Sequence, residues 1–201
     1  MIGYNKKIIK KPMIQTKEEL REYMEADNNW LLPQNLKGMV ISGFAGYPAG
    51  KLKKFLKYLR KQEYYINTAD GNRIKGLMGL FWERKKNHLG ILLGIEIEPN
   101  CFGKGLSVYH IGSVIVNPAV RAGENCSLHG ANCIGNNGLT EDTPVIGNNV
   151  DIGYGAVIIG GVQIADDIKI GANAVVNRSF TEPGVTIAGV PAKVVKQRDD
   201  R

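Results

Sequence analysis

Residues 146–181 read IGNNVDIGYGAVIIGGVQIADDIKIGANAVVNRSFT. An aliphatic residue stands at every sixth position of this stretch: Ile146, Ile152, Ile158, Ile164, Ile170 and Val176. A second series of smaller residues keeps the same period: Val150, Ala156, Val162, Ile168 and Ala174. An α-helix repeats every 3.6 residues and a strand every two, so neither holds a period of six. A chain that turns a corner every six residues does. Three such faces make a coil of about eighteen residues, and stacked coils bury what no single coil can bury alone. The repeating aliphatic side chain is expected to point inward, with the second series filling the corner. Asn148, Asn149, Gly153, Gly155, Gly171 and Asn173 supply corner backbone.

Working back toward the N-terminus, Ile95-Glu96-Ile97-Glu98-Pro99 alternates, and Val108 lies six after Phe102. Tyr109-His110-Ile111-Gly112 then breaks the phase. A new register runs Val116, Ala122, Leu128, Ile134. Ile146 is twelve after Ile134, yet polar Thr140 stands at the intervening inward position. The segment 136–144 is therefore predicted to leave the coil as a loop, a common place for function on a rigid scaffold. After Val176 the repeat is expected to fail, with Phe180, Pro183, Val185, Ile187 and Val190 as a terminal cap.

The first 90 residues lack the repeat. Thr16-Lys17-Glu18-Glu19 is a capping box opening a helix to about Ala26. Pro48 suits a first helical turn, and Leu52, Phe55, Leu56 and Leu59 follow at helical spacing. A third helix is predicted over Ile74 to Asn87. The chain thus divides into a helical region (1–90), a coiled β domain (91–195) and a tail (196–201).

The chain has 201 residues, 25 of them Gly, and a net charge of +7. Much of the excess charge precedes residue 90, in Lys6 to Lys11 and Lys51 to Lys61. A basic balance suits a polyanionic or phosphorylated partner. No aromatic-basic recognition module is present, so nucleic acid is not expected. Three cysteines without metal-like spacing read as reduced thiols of a cytoplasmic protein. No secretory leader or membrane-spanning run is read, and attachment to a membrane surface is not expected.

Three histidines exist: His88, His110 and His129. His88 reads as a cation near a helix end. His110 stands where the phase breaks, and His129 follows an inward Leu, at a corner. A neutral imidazole at pH 7 suits removal of a proton from an alcohol, and a carboxylate on its other nitrogen fixes the tautomer. Glu96 or Glu98 precedes His110 by less than one coil. No pattern points to a Ser or Cys nucleophile or to paired His ligands of a metal, so direct attack on an external thioester is favoured over a covalent enzyme intermediate.

Ile95 to Val195 resembles the hexapeptide-repeat acyltransferases. Within them it resembles the serine acetyltransferase branch and relatives that O-acetylate sugars of surface polysaccharides. The residues that carry the resemblance are Ile95-Glu96-Ile97-Glu98-Pro99, Phe102-Gly103-Lys104-Gly105-Leu106, Tyr109-His110, the repeats over 146–176, and Ile187-Ala188-Gly189-Val190-Pro191-Ala192-Lys193-Val194-Val195. The resemblance implies a left-handed parallel β-helix, mainly β, behind an N-terminal helical region. It implies a homotrimer with sites between subunits, acetyl-CoA as cosubstrate and no metal. It places the general base on His110 and the carboxylate of the dyad on Glu96, where the family has Asp. His129 is a further catalytic candidate. Backbone near Gly135 and Gly138 would meet the thioester or oxyanion. Gly153, Tyr154, Ala172 and Ala188 would line the pantetheine groove, and Lys193 and Lys196 would meet the CoA phosphates. Tyr109, Asn136, Asn137 and Asp142 are candidate acceptor contacts.

The family's serine enzymes carry an Asp-Arg-His-Pro run in their loop. Here Glu141-Asp142-Thr143-Pro144 stands in that place. Two acids without the Arg repel a carboxylate, which favours a sugar hydroxyl as acceptor, with serine as the alternative. A non-catalytic scaffold and a zinc enzyme of the carbonic anhydrase type are further, weaker readings.

Overall fold

The computed structural model describes residues 14–27 and 48–197, and among these three helices precede the repeat. The sequence readings for 1–13, 28–47 and the last four positions of the tail lie outside the described residues. Helix α1 (Lys17–Ala26) opens on the capping box: Thr16 Oγ1 accepts from Glu19 N at 3.1 Å, and Thr16 N donates to Glu19 Oε2 at 2.9 Å. Such a cap stabilises a helix by about 1 kcal/mol. Helix α2 spans Pro48–Asn67 and α3 spans Arg73–Leu93. Asn72 caps α3, its Oδ1 accepting from Ile74 N and Lys75 N. Helix α3 runs to Leu93 rather than to Asn87. Its last turn crosses close over α2 and the first strand: a Cβ on Gly90 would lie 2.5 Å from Ile95 O and 3.2 Å from the Phe55 ring. Gly94, at φ 69°, ends the helix in the left-handed conformation that Gly adopts freely.

From residue 95 the chain enters fourteen short strands. In order they are β1 (Ile95–Glu96), β2 (Ser107–Val108), β3 (Val114–Val116), β4 (Arg121–Ala122), β5 (Ser127–Leu128), β6 (Cys133–Gly135) and β7 (Val145–Ile146). They continue with β8 (Asp151–Ile152), β9 (Val157–Ile159), β10 (Gln163–Ile164), β11 (Lys169–Ile170), β12 (Val175–Val176), β13 (Thr186–Ala188) and β14 (Lys193–Lys196). The first sheet is β1-β3-β6-β9-β12, the second β4-β7-β10, and the third β2-β5-β8-β11-β13 with β14 at its end. From β3 to β12, successive strands visit first, second and third sheets in rotation. All pairings are parallel except β13 with β14.

The register measures the coil. Val145 pairs with Gln163, Asp151 with Lys169 and Val157 with Val175, each eighteen positions on. Cys133 pairs with Val157, twenty-four on, so this coil carries six extra residues. They are the segment 136–144, whose residues 137–142 are exposed, as a loop leaving the coil requires. Ser107 pairs with Ser127, twenty on, and the two extra residues fall between Val108 and Val116, at His110.

Ile146, Ile152, Ile158, Ile164, Ile170 and Val176 are all buried, as is the whole second series. Each such side chain contributes roughly 1.5–3 kcal/mol by leaving water. The repeat does not fail after Val176. Phe180 bridges Ile164, and Ile187 pairs with Ile170, so the coil continues for two more faces at shorter spacing. Phe180, Val185 and Ile187 are therefore interior rungs rather than a separate cap; the short turn around Pro183 shifts their phase and hides them from a strict six-residue count. The chain then reverses through Gly189–Ala192, with a cis peptide at Val190–Pro191, into β14.

A buried guanidinium joins the helices to the first coil. Arg60 donates from Nε to Asp27 Oδ2 at 2.7 Å, from Nη1 to Glu63 at 3.0 Å and to Phe102 O at 2.9 Å, and from Nη2 to Gly103 O at 2.7 Å. Asp27 Oδ1 in turn accepts from Gly105 N and Leu106 N. Burial pushes the Asp27 and Glu63 carboxyls above their ordinary range, against the pull of Arg60.

Candidate active site

The strand register stacks side chains in columns where the chain passes from the third sheet to the first. Val108, Leu128, Ile152, Ile170 and Ile187 are mutual partners. The next residue in each layer is Tyr109, His129, Gly153, Gly171 and Ala188, and the one after is His110, Gly130, Tyr154, Ala172 and Gly189.

The first of these columns brings Tyr109 and His129 together. Their rings stack with centroids 4.4 Å apart and planes 5° from parallel. His129 Nε2 lies 2.7 Å from Asp151 Oδ1, which projects from β8. In the second column Gly130, at φ 114°, leaves a gap. A Cβ there would stand 3.2 Å from the Tyr154 ring and 3.4 Å from His110 Cβ. Tyr154 and His110 thus flank one missing side chain. Asn132 holds the corner from within: its Oδ1 accepts from Gly130 N at 3.0 Å and its Nδ2 donates to Gly153 O at 2.9 Å. It is 1% exposed, so these bonds also satisfy an otherwise costly buried amide.

His110 itself is exposed. The bulge that carries it is tied down on its far side, Gly112 N donating to Leu93 O and Val114 N to Gly94 O. Among the described residues no hydrogen bond joins His110 to a carboxylate. Glu96 stands exposed on β1, opposite Ile115, and Glu98 is held by Lys86 Nζ at 3.0 Å. Both carboxylates line a cavity of about 470 Å³ with Lys86 and Ser113 at the end of α3, and His110 does not line it. Among the described residues the carboxylate–histidine pair is Asp151–His129. Sequence reasoning passed over Asp151. The signal was positional: Asp151 precedes an inward Ile, one coil beyond the Ser127-Leu128-His129 run, so it faces outward beside His129.

Below Tyr154 the corner carries only small residues. A Cβ on Gly153 would lie 2.6 Å from Ile170 O, and one on Gly171 would lie 2.9 Å from Ala188 Cβ. Ala172 and Ala188 continue this narrow track. On β14, Lys193 stands opposite Ala188 and Lys196 opposite Thr186, both exposed.

Gly135, Asn136, Asn137, Gly138 and Asp142 lie elsewhere. Gly135 ends β6 and the others follow it, at the other end of the first sheet from His129 and Gly130. Asn137 Oδ1 accepts from Leu139 N and Thr140 N, shaping the loop, and the Asp142 side chain returns against Gly161. Within one chain the structure does not bring this loop to His110. Between the two lies the outward column of the first sheet, Ile115, Cys133, Val157 and Val175. Apart from Glu96, which heads it opposite Ile115, it is apolar, whereas the corresponding column of the third sheet is Ser107, Ser127, Asp151, Lys169 and Thr186.

Among the described residues no cluster of three His, Cys, Asp or Glu is placed to hold a metal ion, and no helix is long and apolar enough to cross a membrane.

No family model matches the chain. A serine acetyltransferase of Helicobacter pylori is 35% identical over 107 residues, 52% of this chain and 62% of that protein. The chain spans about half the length of the curated relatives it matches. Among solved structures, a serine acetyltransferase of Brucella abortus in complex with coenzyme A aligns with a TM-score of 0.68 at 21% identity, over 91% of this chain and 70% of the other. Soybean serine acetyltransferase complexed with serine aligns with a TM-score of 0.67 at 23% identity, over 89% and 70%. With the six-residue repeat and the three parallel sheets, these similarities show a chain that shares the fold of serine acetyltransferases and resembles the serine acetyltransferase-like branch of the hexapeptide-repeat acyltransferases.

Proposed function

We propose that the protein is an acetyl-CoA-dependent O-acetyltransferase with His110 as general base. The observation that carries this reading is an exposed histidine on a two-residue bulge, flanked by Tyr154 and by the Asp151–His129 pair, at the head of a track of small residues. His110 takes the proton of an acceptor hydroxyl as its oxygen attacks the acetyl carbonyl of the thioester. The C–O bond forms, the C–S bond breaks, and the proton passes to the leaving thiolate. Such a base is worth roughly 10²–10⁴ in rate. Gly153, Ala172 and Ala188 leave room for a slender pantetheine arm, and Lys193 and Lys196 offer point charges to its phosphates. This fit supports acetyl-CoA as the cosubstrate.

Glu96 is retained as the carboxylate that would orient His110, since β1 packs beside the bulge. Asp151–His129 is a positioning pair that fixes Tyr109 beside it. The loop residues Gly135, Asn136, Asn137, Gly138 and Asp142 join the site in a homotrimer, in which the apolar outer face of the first sheet packs against a neighbouring subunit. We read the coil as left-handed, the hand implied by the resemblance, and place the functional division near residue 90.

For the acceptor, the comparisons support serine better than the sugar expected from the sequence, because the similar proteins are serine acetyltransferases. One observation keeps the sugar reading as the second: Glu141 and Asp142 stand exposed in the loop, unfavourable for a carboxylate substrate. Thiol release from acetyl-CoA, followed with serine and with a panel of sugars and sugar nucleotides, separates the two. His110→Ala is expected to cut turnover at least about a hundredfold; full activity in that variant removes the role given to His110.

A further inference from the structure

We infer that the outward face of α3, together with the groove it makes with α2, docks on an anionic phospholipid surface. The observation is a helix face that is apolar and basic at once. At about 100° per residue, Ile74, Leu77, Phe81 and Leu92 fall within one arc on the side opposite buried Gly79, Lys86 and Gly90. Leu80 and Ile91 flank that arc. All six are exposed, Ile91 at 83% and Ile74 at 74%. Exposed Arg73, Arg84 and Lys85 share the same side. Glu83, the only acid of α3, lies off it.

The groove beside this face has a volume of about 760 Å³. Lys51, Lys54, Arg84, Lys85 and His88 ring it, and Tyr58, Phe81, Leu89 and Leu92 form its floor. None of these residues is acidic. Lys54 lies over the Tyr58 ring at 5.9 Å and Lys85 over the Phe81 ring at 5.1 Å, so ammonium groups sit at the rim of an apolar depression.

Charge complementarity selects the occupant. Cations above exposed aliphatic and aromatic side chains match phosphate headgroups above acyl chains. A nucleic-acid backbone would satisfy the cations but leave Leu77, Leu80, Ile91 and Leu92 in water, so it is the poorer fit. Attachment to a membrane surface is not expected from the sequence; the exposed arc of apolar residues beside the cations is what the folded helix adds. This inference stands apart from the proposed acetyl transfer, and its test needs no acceptor.

The test is flotation of the full chain with phosphatidylcholine vesicles, with and without about one third phosphatidylglycerol. Binding is expected to the anionic vesicles alone and to weaken with salt. A cation near such a surface is worth roughly a factor of five, so Lys54→Glu with Lys85→Glu should lower partitioning by at least about twentyfold. Leu77→Ser with Leu92→Ser, which keeps every cation, should also lower it. Both pairs are exposed, and circular dichroism is expected to be unchanged. Equal binding to neutral vesicles, undiminished binding of the charge-reversed variant, or tighter binding to a short RNA than to vesicles overturns the inference. So does concentration-dependent self-association that the serine variants abolish, which would make this face a contact between copies.

Discussion

Gly130 bears on the candidate site more directly than any other corner glycine. An alanine there must hold φ near 114° and place its Cβ against the Tyr154 ring. Gly130→Ala is expected to cost about 1–3 kcal/mol in denaturant unfolding and to lower turnover with it, because Tyr154 is displaced from His110. Asp151→Asn tests the neighbouring pair. Loss of an orienting hydrogen bond worth about 1 kcal/mol predicts a fall in kcat of roughly five- to tenfold, smaller than that of His110→Ala. The cysteines make a third prediction at this scale. Burial raises the Cys101 thiol to about 11 and the Cys126 thiol to about 12. A raised thiol pKa lowers the thiolate fraction at any given pH, to about one in a thousand or less at pH 8. A disulfide reagent is therefore expected to leave both unlabelled until the chain unfolds, and to reach Cys133 whenever the first sheet is uncovered. His110 was legible in the sequence because its bulge interrupts an otherwise regular count. The Asp151–His129 pair was not, because a loop of undetermined length separates its members and only the folded register shows that they share a corner.

At the level of elements, the repeat announced itself because one interior side chain per face must be aliphatic and each face holds six residues. The helical part carries no such rule. Arg60 meets Asp27 across 33 positions and Gly103 across 43, and nothing in the sequence sets that buried cation apart from the solvated lysines of α2. The helix expected to end at Asn87 runs on to Leu93, and Gly90 lets its last turn pass close to Ile95 O. All five N–H groups of Arg60 have acceptors within the protein. Arg60→Leu leaves two buried carboxylates and two coil carbonyls without it, and is expected to destabilise the chain by about 3–5 kcal/mol in urea unfolding. A drop of under 1 kcal/mol would mean that α1 and α2 rest on the coil through apolar packing alone.

For the whole molecule, the asymmetry of the outer faces matters most. The third sheet shows serine, aspartate, lysine and threonine to water, and the first, beyond Glu96 at its start, shows Ile115, Cys133, Val157 and Val175. Ile115→Arg is expected to turn the proposed trimer into monomers by light scattering and to remove activity with it, since His110 and the loop after β6 lie at opposite ends of that sheet. A trimer that persists in the variant places the subunit contact elsewhere.

The reversal at β14 has a separate consequence. A parallel stack has no intrinsic length: its last rung offers bare amides and carbonyls to any further rung, including one from another molecule. By running antiparallel and presenting Lys193 and Lys196 in exposed positions, β14 makes that edge a poor template. Removal of β14 is expected to convert a bounded particle into one that grows end to end, visible as thioflavin-positive fibrils under conditions where the intact chain stays dispersed.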